Sequence, residues 1–332
     1  MEIKTYAPDD GSALAELLRK KYGMHASFGY FAGDADIAYA FCTESDHISF
    51  TPIAGYEEGE MVAHIALIAD ARQPGEAFFG FLETPNGQET FDLLWDELLR
   101  QSRARGITLL KGPISGSIWH QYRCIKESDG SPFFTGEPMT ETYYYDLLAA
   151  KRPVTEVTYF SAYRTRYDMV LRLLGAASYK RLSLSGFTIK EVTQAGPEEL
   201  RTIVEISEET FRASWGYTGL TEKEFLRLYS AEKMGEHLST LYLLYKGDKL
   251  IGFLGTARED DSTLICKTIC IAPPYQGKGL GNALAYKVHL DAGKRGFTKV
   301  VYALIREGNA IQRFPKEQAV VFRKYAAFEF SL

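Results

Sequence analysis

The chain has 332 residues, of which 45% are hydrophobic and 24% charged, with a formal net charge of −5. This composition is typical of a globular protein, and the length is sufficient for two domains of ordinary size. The acidic balance argues against nucleic acid as a partner, because phosphate backbones require a basic face. No apolar run reaches the roughly 18 residues of a membrane-spanning helix, so we expect no membrane partner either.

The chain start and the cysteines indicate a cytoplasmic protein. The first ten residues, MEIKTYAPDD, are charged from the second position and do not resemble a secretory signal. Of the cysteines at 42, 124, 266 and 270, Cys266 and Cys270 fall four apart in a predicted strand. That spacing places their side chains on one face, too far apart for easy bridging. We therefore expect four reduced thiols and no metal site.

The first half alternates short apolar runs with one long amphipathic stretch. Its predicted elements are a strand near 2–6, a helix near 12–21, strands near 36–42, 47–51, 61–69 and 76–82, a helix over 89–104 and a strand over 107–111. The glycine–proline stretch 112–116 is predicted to be a turn or loop. The segment 166–186 is predicted to connect the two halves.

The second half has clear start and stop signals. Pro197 predicts the first turn of a helix that runs to about residue 210, and Thr221-x-x-Glu224 has the pattern of a capping box. Hairpin turns are predicted at Gly247-Asp248 and Asp260-Asp261. A strand over about 264–272, a loop, a helix over 280–294 and a strand over 298–304 follow.

The two halves resemble each other. Arg105-Gly106-Ile107-Thr108 recurs 190 residues later as Arg295-Gly296-Phe297-Thr298, each time between an amphipathic helix and an apolar strand. The starts of the halves and their late alternating strands also correspond in order. These correspondences predict a duplicated fold.

The hexapeptide Gln276-Gly277-Lys278-Gly279-Leu280-Gly281 is the most informative motif. It lies where a predicted strand passes into a predicted helix, and helix N-termini with open backbone N–H groups bind phosphate. Neither the ATP-binding pattern G-x-x-x-x-G-K-[ST] nor the dinucleotide pattern G-x-G-x-x-G fits. A glycine-rich turn without a ligand is the alternative interpretation.

With the preceding Pro273-Pro274-Tyr275, this motif resembles the acyl-CoA loop Q/R-x-x-G-x-G/A of the GNAT superfamily of N-acyltransferases. The resemblance implies an α+β fold: two GNAT-like domains, each a mixed, mostly antiparallel sheet flanked by helices. The implied domains are a degenerate copy over 1–165, a linker over 166–185 and an acyl-CoA-binding domain over 186–332. The resemblance is specific in the second copy and weak in the first.

The resemblance also implies a set of cofactor-binding residues. The strand before the loop would offer main-chain contacts to the pantetheine arm, the loop amides would hold the diphosphate, and an asparagine after the next strand would lie near the thiol. In this sequence those residues are Ile269, Ile271, Gln276, Gly277, Lys278, Gly279, Leu280, Gly281 and Asn309. Gln276 is expected to brace the loop. Lys278 is equally plausible as a solvated lysine, and Asn309 as a helix cap or turn residue.

The catalytic acid and base cannot be assigned by resemblance. The family's Asn-x-x-Ala-x-x-x-Tyr pattern fails, because Gln312 and Lys316 stand three and seven residues after Asn309. Tyr302 and Tyr325 are the nearest tyrosines in sequence, with packing in a sheet as the alternative for both. The acidic tip Glu259-Asp260-Asp261 is most simply a solvated turn.

Two aromatic clusters are further candidates for an acceptor site. Trp215 and Tyr217 precede the capped helix where the family has its acceptor pocket, and plain core packing is the alternative. In the first half, His120 and Arg123 lie in a polar–aromatic cluster, for which we favour a structural role.

The first copy is not expected to bind CoA. Counting back 190 residues from the loop leads to Asn86-Gly87-Gln88-Glu89, where one glycine survives and Glu89 adds a carboxylate beside the expected diphosphate. The leading functional hypothesis is an N-acetyltransferase that uses acetyl-CoA. In this hypothesis a primary amine of a small molecule or a protein attacks the thioester directly. A non-catalytic acyl-CoA sensor is the alternative.

Overall fold

The computed structural model describes residues 1–8, 11–22, 31–165, 169–228, 240–308 and 319–332. The helices are α1 Ser12–Tyr22, α2 Phe31–Glu44, α3 Gln88–Ala104, α4 Tyr143–Ala149, α5 Met169–Leu184, α6 Pro197–Phe211, α7 Glu222–Leu228 and α8 Leu280–Lys294. The first nine strands are β1 Glu2–Thr5, β2 Ile48–Glu57, β3 Glu60–Asp70, β4 Glu76–Glu83, β5 Leu109–Gly112, β6 Ile114–Ser115, β7 Gln121–Tyr122, β8 Cys124–Ser128 and β9 Thr155–Arg164. The remaining strands are β10 Phe187–Val192, β11 Thr240–Lys246, β12 Lys249–Arg258, β13 Thr263–Ile271, β14 Lys299–Arg306 and β15 Val320–Ser331.

The described chain divides into two compact units that exchange segments. Unit 1 comprises Met1–Ser131, Pro138–Tyr159 and Arg323–Leu332, and unit 2 comprises Pro132–Glu137 and Phe160–Phe322. The domain bounds 1–165 and 186–332 that the resemblance implies remain a prediction. Residues of the expected linker form α5, whose Leu182 belongs to a core cluster of unit 2.

Unit 1 is built on a mixed sheet in the order β1-β2-β3-β4-β5-β15. Only the β4–β5 pairing is parallel, and β15 adds antiparallel to β5 with Phe328 opposite Gly112. The amphipathic helix α3 places the apolar stripe Phe91, Leu94, Trp95 and Leu98 in the core. Phe328 and Phe330, from the end of the chain, complete that core.

Unit 2 repeats this arrangement with the order β10-β11-β12-β13-β14. The parallel pair is now β13–β14, and α8 connects the two strands. A core cluster is formed by α8 and the facing side of the sheet; its buried members include Leu254, Leu264, Leu284, Val288 and Val300. The mixed, mostly antiparallel sheet that the sequence predicted is present in both units.

The duplication extends to single backbone hydrogen bonds. After α3, Gly106 has φ +70° and the Ile107 N–H donates to Ser102 O at 3.1 Å. After α8, Gly296 has φ +86° and the Phe297 N–H donates to Ala292 O at 3.0 Å. Glycine recurs because the left-handed conformation that ends each helix costs it no side-chain clash.

Most local predictions are confirmed. Helix α6 begins at Pro197, and the capping box is formed: the Thr221 N–H donates to Glu224 Oε2 at 2.8 Å and the Glu224 N–H to Thr221 Oγ1 at 3.3 Å. The hairpins turn between β11 and β12 and between β12 and β13, as expected.

The strand predicted near 36–42 is wrong, because those residues lie in helix α2. The buried positions Ala38, Phe41 and Cys42 follow the i, i+3, i+4 spacing of a helix. A short apolar run is compatible with both a strand and a helix, and here the helical period decides.

The expectation that Cys266 and Cys270 share a face is also wrong. Gly255 pairs with Thr268 but Thr256 pairs with Cys266, so Lys267 is an extra residue, a β-bulge. Past the bulge the alternation is inverted: Cys266 packs with the α8 cluster, whereas Cys270 hydrogen-bonds to Ser207 on α6. All four thiols are free, and burial raises the pKa of Cys266 and of Cys270 to about 12.

The described residues include neither a membrane-spanning helix nor a metal-binding cluster. None of the described helices has the length and apolarity needed to cross a membrane. Within the same part of the chain, no group of three or more histidine, cysteine or acidic side chains is arranged to hold a metal ion.

Candidate functional site

The glycine-rich loop connects β13 to α8 in unit 2. A 3-10 turn over Pro273–Tyr275 ends the strand, and Gly277 and Gly279 then adopt φ +74° and +77°. Gly279 is the N-cap of α8, and its carbonyl accepts the first helical hydrogen bond, from the Ala283 N–H at 3.2 Å. The backbone N–H groups that open α8 therefore lie at an exposed turn, with the positive end of the helix dipole behind them.

Backbone conformation explains two of the three glycines in the loop. At Gly277 and Gly279 a Cβ would meet no atom within 4 Å, so the left-handed backbone and not crowding requires glycine. At Gly281 a Cβ would lie 3.6 Å from Ile269 Cδ1. The space above both positive-φ residues is open to a ligand that must approach the main chain.

Gln276 and Lys278 fasten the loop to its own strand and turn. Gln276 Nε2 donates to Ile271 O at 2.8 Å, which is the bracing contact expected from the sequence. Lys278 Nζ donates to Pro274 O at 2.9 Å and lies 5.3 Å from the centre of the Tyr275 ring. The Lys278 ammonium thus stays at the exposed turn, within the same hexapeptide as the two positive-φ glycines.

Strands β13 and β14 separate along their length. They pair in parallel from Thr263 with Lys299 to Cys266 with Tyr302, and then each continues as a strand for several residues. The separation begins at the Lys267 bulge. Ile269, 40% exposed, and Ile271 lie on the part of β13 that is not paired with β14, and their contact with a cofactor stays a prediction. Asn309 lies outside the described residues.

The two candidate tyrosines have different surroundings. Tyr302 is the last β14 residue paired with β13, and its hydroxyl lies 2.5 Å from His289 Nε2. The His289 Nδ1 lies 2.5 Å from Ala285 O, and because a carbonyl only accepts, Nδ1 donates to it. Tyr325 is fully buried in unit 1, opposite Ile125 of β8, which argues against a role as an acid.

The acidic hairpin tip is used structurally. Asp260 Oδ1 accepts from the Ser262 and Thr263 N–H groups at 2.7 Å each, and the backbone hydrogen bond from Ser262 lowers the pKa of Asp260. Asp261 forms an ion pair with Arg258, and Glu259 Oε2 accepts the Thr135 N–H at 2.7 Å. These are the contacts of a turn, as the simpler interpretation held.

The aromatic clusters are packed. His120 Nδ1 lies 2.9 Å from Ser117 Oγ, and its ring stacks on Phe41 at 4.8 Å. The Arg123 guanidinium lies over the Tyr122 and Tyr159 rings at 3.6 and 4.2 Å. Trp215 and Tyr217 are half-buried in the connection between α6 and α7.

Among the described residues of unit 1, there is no comparable opening between β4 and β5. Short strand β6 packs on β4 so closely that a Cβ at Gly80 would lie 2.0 Å from Ile114 O. Phe81 has both main-chain groups engaged: its N–H donates to Ser115 Oγ at 2.8 Å and its O accepts from His64 Nδ1 at 2.6 Å. Gly87, the N-cap of α3, is extended at φ −166°, and Glu89 occupies the first turn as the sequence indicated.

Comparison with known proteins agrees with this geometry. Residues 200–314 match the family model described as Acetyltransferase (GNAT) family. The C-terminal half therefore carries a GNAT domain, and the chain as a whole has a tandem GNAT fold. No curated protein matches the sequence.

Solved structures support the fold over the whole chain. A tandem GNAT protein from the clavulanic acid biosynthesis pathway aligns with TM-score 0.60 and 13% identity, covering 99% of this chain and 98% of that one. GCN5-related N-acetyltransferases from Anabaena variabilis and Sphaerobacter thermophilus give TM-scores of 0.56 and 0.50 at 10% and 14% identity. They cover 99% of this chain each, and 72% and 95% of their own chains. At these identities the similarity shows the fold alone.

Proposed function

We propose that the protein is an N-acetyltransferase that transfers an acetyl group from acetyl-CoA to a primary amine. The observation that carries this is the pairing of two features in unit 2: an exposed loop of positive-φ glycines at the start of α8, and the separation of β14 from β13 beside it. The loop suits a diphosphate, and the separated strands offer main-chain groups to an extended amide-bearing arm.

Each predicted cofactor residue has a role in this proposal. The amides of Gly277 to Gly281 hold the diphosphate, Gln276 keeps the loop on its strand, and Lys278 adds charge at the exposed side. Ile269 and Ile271 present main-chain groups to the pantetheine arm. Asn309 remains a proposed neighbour of the thiol.

The reaction is direct attack in a ternary complex. The amine nitrogen forms a bond to the thioester carbonyl carbon, the oxyanion is stabilised by main-chain N–H groups, and the C–S bond then breaks to release CoA thiolate. The nitrogen loses a proton to a base and the thiolate gains one. We assign neither group: Tyr302 already hydrogen-bonds to His289, and the hairpin-tip carboxylates are engaged in the turn.

The test is a matched pair of substitutions at Gly279. Asp and Asn have nearly the same shape, both tolerate the left-handed backbone, and both are favoured at a helix N-cap, so both variants should fold. Only Gly279→Asp puts a negative charge beside the diphosphate. We expect it to weaken acetyl-CoA binding at least about a hundredfold more than Gly279→Asn, measured by calorimetry.

The outcomes separate the hypotheses. Equal affinity of the two variants would contradict the diphosphate assignment. The sensor alternative is favoured by the missing Asn-x-x-Ala-x-x-x-Tyr pattern; it predicts charge-sensitive binding with no release of thiol from acetyl-CoA across a broad amine panel. Glu89→Gln, in the first turn of α3, serves as the control and should leave binding unchanged.

A further inference from the structure

A buried serine from the first half of the sequence contacts β14 where it leaves β13. Ser161 lies in β9, is fully buried, and belongs to unit 2 although it falls within the first repeat. Its Oγ accepts the main-chain N–H of Leu304 at 3.0 Å. Leu304 stands only two residues beyond Tyr302, the last residue of β14 that pairs with β13.

The backbone of Leu304 is unusual for a strand. It has φ +57°, a left-handed conformation that a residue with a branched side chain seldom adopts. A left-handed residue interrupts the regular alternation of N–H and C=O along a strand, so β14 cannot continue its ladder with β13 through this point. Such a conformation persists only where surrounding contacts hold it.

The hydrogen bond from Leu304 to Ser161 is one such contact, and it ties β14 to β9, the neighbour of β14 in the sheet on the side away from β13. A half-buried main-chain N–H needs a partner, and the serine oxygen supplies one from the β9 side rather than from the β13 side. If β14 closed toward β13, the main chain of Ile269 and Ile271 would no longer border an opening. The serine hydroxyl is thus attached to β14 just beyond the point where β14 leaves β13, without contributing a group to the opening itself.

Unit 1 offers a natural comparison. There a serine hydroxyl also accepts a strand N–H, but Ser115 lies on the strand after β5 and bonds to Phe81 of β4, so the equivalent space is closed. In unit 2 the serine comes from β9, outside the β13–β14 pair. The strand that carries the serine therefore differs between the two units: it is β6 beside the closed β4–β5 pair and β9 beside the separated β13–β14 pair.

We infer that Ser161 is a positioning residue for the acyl-CoA arm: by holding Leu304 it sets the separation of β13 and β14 in which that arm lies. This inference rests on the proposed function, which it deepens by assigning the shape of the opening to a residue outside the matched segment 200–314. Ser161 itself touches neither the loop nor the reacting atoms in this scheme.

The first experiment compares two ligands by calorimetry in the full chain. Acetyl-CoA has the pantetheine arm, whereas 3′-phosphoadenosine 5′-diphosphate has the diphosphate without the arm. Ser161→Ala should weaken acetyl-CoA binding about tenfold, the scale of one lost hydrogen bond, and leave the arm-free ligand unchanged. An equal loss for both ligands, or a loss for neither, would overturn the inference.

Two further variants separate the effect of the hydroxyl from the effect of side-chain shape. Ser161→Thr retains the oxygen and Ser161→Val has the same shape without it, so the first should bind acetyl-CoA more tightly than the second even if the added volume costs stability. Ser102→Ala removes an equally buried hydroxyl from α3 of unit 1 and should affect neither ligand. Equal acetyl-CoA affinities in the Thr and Val variants would contradict the role of the hydroxyl.

A ligand-free measurement separates this inference from the proposed function. Amide hydrogen exchange of β13 residues 267–271 should slow in Ser161→Ala, because β14 closes toward them, while exchange at Leu304 changes as well. If the exchange rate changes only at Leu304, Ser161 has a local structural role and the inference is overturned. If neither ligand binds the unsubstituted protein, the proposed function fails, and the exchange data still decide whether Ser161 holds the strands apart.

Discussion

At the scale of single residues, the sequence was most informative where chemistry and backbone conformation coincide. The glycines at 277 and 279 have the positive φ that the motif requires, and Gln276 makes the expected bracing contact. Their function as a diphosphate loop stays a proposal. Ser161 had no sequence signal, because its partner Leu304 is 143 residues away and nothing local marks a serine in a strand as an acceptor.

His64 is a second residue whose role appears only in the fold. It is completely buried in unit 1, where Nδ1 donates to Phe81 O and Nε2 lies 2.9 Å from the Tyr6 hydroxyl. Burial lowers the pKa of His64 from 6.5 to about 4. The folded protein therefore holds this imidazole neutral in a pH range where the unfolded chain protonates it.

This pKa predicts acid sensitivity in unit 1. Because the unfolded state binds more protons between pH 6.5 and about 4, the free energy of unfolding should fall as the pH drops through that window. The loss from His64 alone is about 3 kcal/mol at the lower end. Urea unfolding at pH 7.5 and pH 4.5 measures it.

His64→Gln should remove most of this pH dependence, since glutamine can donate and accept but does not titrate there. His120→Gln, a half-buried histidine in the same unit, serves as the control and should leave the slope in place. An unchanged slope in His64→Gln would show that other groups cause the acid sensitivity.

At the scale of elements, strong local sequence signals were sufficient to place the helix starts and hairpin turns of the second half. The capping box before α7, the proline that begins α6 and both hairpin turns were placed correctly, because each depends on residues close in sequence. The prediction failed at α2, where a short apolar run fits two periods, and at the face of Cys270, where a bulge inverts the alternation. A bulge leaves no mark in the hydrophobic pattern until its neighbouring strand is known.

The closed β4–β6 contact of unit 1 leads to a prediction about Gly80. The methyl group added by Gly80→Ala would overlap the main chain of Ile114. Its Cβ would lie 2.0 Å from the Ile114 carbonyl oxygen and 2.5 Å from the carbonyl carbon. The main chain cannot move aside as a flexible side chain can, so we expect the free energy of unfolding to fall by about 3 kcal/mol or more. Thermal unfolding with hydrogen exchange resolved to unit 1 measures it.

The matched control is Gly87→Ala. At this position a Cβ has no atom within 4 Å and the backbone is extended, so any residue is accommodated. We expect its stability to stay within about 0.5 kcal/mol of the unsubstituted protein. A similar, small effect of both substitutions would mean that β6 moves away from β4 at little cost.

At the scale of the whole molecule, the sequence indicated two copies but not how the chain is shared between them. The repeat does not indicate that residues 132–137 belong to the second compact unit, or that residues 323–332 belong to the first. Such exchange follows from strand pairing between distant residues, which leaves no local pattern. The GNAT fold of both copies was nevertheless correctly expected from one motif and one repeat.

Strand β15 allows a direct test of the exchange. Phe322 packs in a cluster of unit 2 with Ile265 and Val301, while Phe328, six positions later, is fully buried in the core of unit 1. Phe→Ala at either site costs about 3–5 kcal/mol. We expect Phe328→Ala to increase amide exchange in the strands of unit 1 and Phe322→Ala to increase it in unit 2.

The two substitutions control each other, since they remove the same side chain from the same strand. Hydrogen exchange with mass spectrometry assigns the opened segments. If both variants loosen the same set of strands, the division of β15 between the units is wrong.

The placement of residues 323–332 has a consequence for synthesis on the ribosome. Domains usually fold in the order in which they are translated. Here the segment that pairs with β5 and supplies Phe328 and Phe330 is translated after every residue of unit 2. The unit that starts the chain is therefore the last to be completed, and until then the nascent protein presents an open strand edge at Leu109–Gly112 of the kind that chaperones protect from aggregation.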